Sequence, residues 1–167
     1  MNQEFTSKNT CANSARLPAL FRRVDWVAGT KNLDYGGGKY DNVSEFLSEL
    51  GVENHVYDPY NRNCADNKEA LAAGPFDTIT LSNVLNVIKE KRIRYYIIRK
   101  CLSLLKDGGK IYISVYEGDK SKVGHQTKED CWQNNQPIDF YFNEIKNISH
   151  HVVKNRQSIL LTKHEHE

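Results

Sequence analysis

Asn32-Leu33-Asp34-Tyr35-Gly36-Gly37-Gly38 is a short apolar run with one acid that breaks into consecutive glycines. Downstream, Val43, Phe46, Leu47 and Leu50 recur at i, i+3, i+4 and i+7, which predicts an amphipathic helix. Gly51 supplies the left-handed residue that commonly follows a helix end. A second extended run, His55-Val56-Tyr57, stops at Asp58, whose Pro59, Tyr60 and Asn61 complete the stretch. Strand, glycine turn, helix, strand and acid, in that order, describe a βαβ nucleotide-binding unit.

The charges around the turn select among the ligands such a unit can hold. A dinucleotide fingerprint would place its third glycine at position 41, where the chain has Asp41. A carboxylate there suits a helix N-terminus and competes with a pyrophosphate for the same positive end. Asp34 adds negative charge before the first glycine. The site therefore favours a cationic ligand over a diphosphate.

Asp34-x-Gly36-x-Gly38, followed by Asp58, resembles the glycine motif and second-strand acid of class I S-adenosylmethionine-dependent methyltransferases. The resemblance spans about residues 30–163 and departs from the family pattern at Tyr40, where another glycine is frequent. It implies an α/β fold, Rossmann-like and doubly wound, with a mostly parallel sheet and a C-terminal antiparallel hairpin. It implies S-adenosylmethionine as cofactor, with Asp34, Tyr35, Gly36, Gly37 and Gly38 beside its methionine moiety. Asp58 would accept the ribose hydroxyls. Tyr60, whose aromatic face can stack on any base, is read as lying against adenine, with Pro59 a further cofactor-binding candidate.

Composition bounds the rest. With 167 residues the chain suits one domain, residues 1–29 forming a capping segment and 30–163 the core. Lys+Arg 23 against Asp+Glu 21 leaves a net charge of +2, which neither demands nor excludes nucleic acid. No apolar run approaches membrane-spanning length, and Cys11, Cys64, Cys101 and Cys131 form no C-x-x-C pair, so a cytoplasmic protein with reduced thiols is expected.

Outward from the central unit, residues 1–15 are polar and read as loosely attached, and Leu17, Leu20, Phe21 and Val24 form a short capping stripe. Asn67 to Ala73 reads as a short helix. It leaves so little chain before Pro75 that the family's third, edge strand is expected to be missing. Phe76 to Asn83 is the next strand, and Asn83, Val84 and Leu85 should meet the cofactor because ligands lie at the carboxyl ends of parallel strands. Asn86 stands near the position where the family often carries a histidine, and it can orient an acceptor without taking a proton. Lys89 to Leu105 reads as a basic helix finished by Lys106 and Gly108-Gly109, burying Ile93, Tyr96, Ile97, Cys101, Leu104 and Leu105. Lys110 to Tyr116 reads as a central strand.

Glu117 to Gln136 lacks periodicity and reads as a structureless loop on the acceptor side of the site. Tyr116, Trp132 and Gln133 are candidate substrate contacts. His125, the loop's one imidazole, is a candidate base, with Glu117 second. Pro137 opens a last helix, and His151–Val153 with Ser158–Thr162 form a hairpin. His164 to Glu167 reads as a frayed tail rather than a metal site. The expected function is methyl transfer to a small molecule or an exposed group of a macromolecule. The alternatives are a protein that binds S-adenosylmethionine or a nucleotide without catalysis, as a regulator or partner subunit, and an RNA or DNA methyltransferase that relies on a partner for specificity.

Overall fold

The central strands are buried almost throughout, one at the four consecutive positions 32–35 and another at Phe76, Ile79, Thr80 and Leu81, as strands covered on both faces are. In the computed structural model, which describes residues 2–9, 15–148 and 150–165, β1 (Lys31–Tyr35), α2 (Asn42–Glu49) and β2 (Glu53–Tyr57) follow α1 (Leu20–Arg23). Then come α3 (Cys64–Ala72), β3 (Phe76–Ser82), a 3-10 turn (Leu85–Val87), α4 (Lys91–Leu104) and β4 (Leu105–Ser114). The chain ends with β5 (His125–Lys128), β6 (Cys131–Gln133), α5 (Ile138–Ile145), β7 (His151–Lys154) and β8 (Ile159–Thr162).

The main sheet is 6-stranded, in the order β2-β1-β3-β4-β8-β7, parallel through β4 and antiparallel at β8 and β7. After β2 the chain crosses back over β1, so β1 has its sequence neighbour on one side and β3 on the other. That reversal opens a crevice at the strand ends, where ligands of such sheets lie. Among the described residues no strand lies outside β2, as the short stretch between Asp58 and Pro75 predicts.

One sheet face is apolar. Leu33, Ile79, Leu81, Ile111, Ile113, Ile159 and Leu161 are fully buried in one cluster with Ile93, Ile97 and Ile98 of α4 and Ile138, Tyr141 and Ile145 of α5. The other face is covered by Phe21, Val43, Leu47 and Val52, with Trp26 at its edge donating its indole N–H to the Phe21 carbonyl at 2.8 Å. Between this cover and the sheet runs a buried polar row. Ser44 accepts from Asn54, Asn54 accepts from Asn32, Asn32 accepts from Thr78 and donates to Thr80, and Thr80 donates to Asp34. Each polar group finds a partner, which is the condition for burying it.

Four expectations are corrected. Residues 2–9 are not loosely attached. The Ser7 amide donates to the Asp130 carbonyl at 2.8 Å, Thr6 donates through its amide and hydroxyl to the Asp130 carboxylate, and Phe5 stacks on Trp132 with centroids 5.2 Å apart. Glu117 to Gln136 is not structureless, because β5 and β6 pair as an antiparallel hairpin. Buried amides organise its return: Asn134 donates to the Leu85 and Ile88 carbonyls, and Gln133 to the Tyr116 carbonyl. Helix α4 ends at Leu104, and Lys106 and Gly108-Gly109 belong to β4 rather than to a helix cap. Its buried face takes Arg94, while Tyr96 stays exposed. The Arg94 guanidinium is satisfied there by Glu144, at 3.0 Å from Nε, and by the Ile88 and Lys89 carbonyls.

Among the described residues no helix is long and apolar enough to cross a membrane, and Cys64, Cys101 and Cys131 are free thiols. His166 and Glu167 lie outside the described residues, as do Met1 and residues 10–14. Among those described no group of three or more His, Cys, Asp or Glu side chains could hold a metal.

Candidate active site

A cavity of about 310 Å³ opens where the reversal of strand order predicts a ligand, at the carboxyl ends of β1, β2 and β3. Its floor is the turn after β1. Gly36, at φ +81°, allows no side chain, because an added Cβ would stand 2.7 Å from Val84 Cγ2. At Gly37 a Cβ would lie 2.5 Å from Asp34 Oδ2 and 2.8 Å from Val56 Cγ1. The turn is bare where a ligand can approach the backbone closely.

Two carboxyl groups flank the turn. Asp34 is buried, and desolvation pushes its carboxyl up to about 7; nearby Asp58 adds to the rise, while Thr80 and Arg62 oppose it. Asp58 closes β2 and is held by four N–H groups. Oδ1 accepts from the Tyr60 and Asn61 amides at 3.0 Å each, and Oδ2 from the Gly38 amide at 2.9 Å and the Asn61 side chain at 3.1 Å. Those donors fill the acceptor positions of a carboxylate. A further donor enters only by replacing one of them, and the Asn61 side chain is the one not fixed to the backbone of the turn.

The two ends of the cavity differ in chemistry. Around the glycines, Asn42 Nδ2 and Ser82 Oγ are buried without a hydrogen-bond partner, and both residues line the cavity. Such orphans are costly unless a ligand completes them. Away from the glycines the wall is aromatic and aliphatic, with Tyr35 and Tyr57 in ring contact at 4.7 Å and Tyr60, Ile93, Tyr96 and Ile97 beside them. Gln3, Thr6, Ser7, Arg16, Pro18 and Phe21 close the remaining side. The arrangement suits a ligand with a planar base, a diol and a charged polar end.

The structure brings the expected cofactor residues Asp34, Tyr35, Gly36, Gly37, Gly38, Asp58, Pro59, Tyr60, Asn83 and Val84 onto one cavity. Leu85 does not line it; the side chain is buried in the core beneath. Asn86, Tyr116, Trp132 and Gln133 are also outside its lining. Asn86 donates to the Gln133 side chain at 3.1 Å, Trp132 packs on Phe5 and Lys89, and Tyr116 is exposed. His125 sits on the exposed strand β5, its Nδ1 accepting from Asn135 at 2.9 Å. Glu117 Oε2 accepts the Ile138 amide at 2.8 Å, capping α5 where Pro137 offers no side-chain cap. Neither lines the cavity, whose described lining holds no histidine, lysine, glutamate or cysteine.

Sequence reasoning missed Asn42, Ser82, Arg62 and the N-terminal wall residues Gln3, Thr6 and Ser7. Serine at the end of an alternating Thr78-x-Thr80-x-Ser82 row was the one legible signal, since that period puts it on the face of Asp34.

The sequence matches the family described as "Methyltransferase domain" over residues 5–152. It is 30% identical over 122 residues to a protein of Xanthomonas euvesicatoria pv. vesicatoria named ubiquinone biosynthesis O-methyltransferase, a match covering 61% of this chain and 49% of that one. The chain thus spans about half the length of this curated relative. Its fold is similar to a SAM-dependent methyltransferase from Methanosarcina mazei, at TM-score 0.64 and 12% identity, covering 84% of this chain and 95% of that one. It is also similar to the 1,6-didemethyltoxoflavin-N1-methyltransferase of Burkholderia thailandensis, solved with 1,6-didemethyltoxoflavin and S-adenosylhomocysteine. That likeness has TM-score 0.61 and 15% identity and covers 83% and 72% of the two chains.

Proposed function

We propose that this chain, which belongs to the methyltransferase-domain family, transfers a methyl group from S-adenosylmethionine to a small molecule or to an exposed group of a macromolecule. The observation that carries this reading is the pairing of Asp34 and Asp58 across a side-chain-free turn, in a cavity that also presents the orphaned Asn42 Nδ2 and Ser82 Oγ.

The residues fit the cofactor end by end. Asp34 supplies negative charge for the cationic part, and Asn42 Nδ2 is a donor suited to a carboxylate. Asp58 suits the ribose diol, and Tyr60 with the Tyr35–Tyr57 wall suits adenine. When bound, S-adenosylmethionine supplies a methyl group on a sulfonium, an electrophile open to in-line displacement. The chain's own part is to orient the reacting groups and keep water out, a role for which Gln3, Thr6, Ser7, Arg16, Pro18 and Phe21 wall the cavity.

The expectation of His125 or Glu117 as general base is not carried forward, because each is engaged outside the cavity. We read the acceptor as one whose nucleophile needs no strong base. The exposed basic residues of α4, Lys91, Arg92 and Arg99, form a solvated face, so nucleic acid is not our assigned acceptor. The free thiols Cys64, Cys101 and Cys131 suit a reducing compartment, and we place the protein in the cytoplasm.

The test is transfer of labelled methyl from S-adenosylmethionine to fractionated cell extract. Labelling of one fraction, abolished by Asp34→Ala, supports the enzyme. Tight cofactor binding without any labelling would favour a regulator instead.

A further inference from the structure

We infer that Arg62 is a positioning residue for the amino-acid end of the cofactor, gripping the glycine turn from outside while Asp58 grips it from inside. The inference rests on the cofactor assignment above. Arg62 itself lines no part of the main cavity and sits behind the turn, in a shallow pocket with Asp41, Ser44 and Asp66.

The grip is geometric. Arg62 Nε donates to the Gly38 carbonyl at 2.8 Å, Nη2 donates to the Tyr40 carbonyl at 2.8 Å, and Nη1 pairs with Asp41 Oδ1 at 2.9 Å. Each nitrogen of the guanidinium has its own acceptor, and the side chain is only 17% exposed. Because a trans peptide sets its N–H opposite its C=O, two carbonyls held toward Arg62 leave the Lys39 and Asp41 amide hydrogens pointing away from it. The backbone dipoles of the turn are thereby oriented from behind.

Arg62 is tied to the ribose-binding acid by its own backbone, since its amide donates to the Asp58 carbonyl at 3.0 Å. The segment 58–62 thus holds residue 38 twice, through Asp58 Oδ2 on the Gly38 amide and through Arg62 on the Gly38 carbonyl. When ribose hydroxyls compete for Asp58, the Arg62 grip keeps the turn in place. The guanidinium also offsets Asp41, whose charge stands at the start of α2 next to Asn42 and would repel a carboxylate bound there. The polar end of the cavity, not the aromatic end, is what this clasp shapes.

S-adenosylhomocysteine and 5′-methylthioadenosine separate the two ends, because both carry adenosine and only the first carries the amino-acid group. Their affinities are measured by calorimetry on the wild-type chain, Arg62→Met and Arg62→Lys. The expected result is a loss of about tenfold or more for S-adenosylhomocysteine in Arg62→Met, with 5′-methylthioadenosine held within about twofold. Arg62→Lys restores charge without the planar fork and recovers only part of the loss. An equal loss for both ligands would reduce Arg62 to a general fold contact and overturn the inference, as would unchanged binding of both. If Arg62→Met does not fold, Arg62→Lys is judged by the same selective loss. A wild-type chain that binds neither ligand would instead overturn the cofactor assignment, and this inference with it.

Discussion

Thr80 donates its hydroxyl to the Asp34 carboxyl at 3.1 Å, at the end of the buried polar row that begins with Ser44 and Asn54. This one bond is the immediate partner of a carboxyl that burial drives toward its neutral form. A cation bound beside Asp34 would favour its charged form.

A pH dependence follows. An acid raised from 3.8 to about 7 on folding stabilises the fold below the unfolded value and loses that contribution as pH rises through the folded one. Stability without ligand should fall between roughly pH 4 and pH 7, by on the order of a few kcal/mol. Asp34→Asn should flatten the decline in denaturant titrations. Affinity for a cationic cofactor should rise over the same window, with proton release near pH 7 visible by calorimetry in buffers of different ionisation enthalpy.

S-adenosylmethionine and S-adenosylhomocysteine should raise the melting temperature, and NAD should not. Asp34 and Asp58 both line the cavity, where Arg16 is the one basic residue among the described lining, so a diphosphate meets unfavourable charge. A ligand at ~100 times its dissociation constant adds about 2.7 kcal/mol. Stabilisation by NAD alone would reverse the assignment.

Asp58→Ala should weaken S-adenosylmethionine binding by ~1.5–3 kcal/mol, the worth of charge-assisted bonds to a diol. It should also lower the melting temperature without ligand, because four N–H donors lose their acceptor. Asn61→Ala makes the contrast: it frees one acceptor position and should leave binding equal or tighter. Weaker binding in Asn61→Ala would mean that its amide contacts the cofactor directly.

Gly37→Ala should abolish cofactor binding and lower the melting temperature, since its Cβ would press on the buried Asp34 Oδ2 and Val56. Circular dichroism and calorimetry on the same sample check both halves.

His125→Ala should retain cofactor affinity and transfer activity, its ring being bound to Asn135 on an exposed strand. Glu117→Ala should cost about 1 kcal/mol of stability through the lost cap on α5. A pH-independent collapse of activity in His125→Ala would restore that imidazole to the chemistry.

The cavity floor was legible because its residues are tied by short spacing and local period. The turn Gly36–Gly38 follows an apolar run, Asp58 ends the next one, and chain length before Pro75 rules out another strand. Covalent geometry carries such features, so the stretch from Asn32 to Asn61 determines them by itself. Gly51 at φ +76° ends α2 for the same reason.

The tertiary structure decided what spacing cannot encode. Thr6 and Asp130 are 124 positions apart, and Glu4 meets Lys89 at 2.7 Å, yet no period in a polar segment marks either contact. Arg94 and not Tyr96 enters the core because Glu144 and two carbonyls happen to complete its fork there. Glu117 and His125 carry side chains able to move a proton, and folding seats them outside the cavity, against the Ile138 amide and the Asn135 side chain. Arg62 offered no signal at all, since a guanidinium becomes a clasp only where folding aims the Gly38 and Tyr40 carbonyls and the Asp41 carboxylate at its plane.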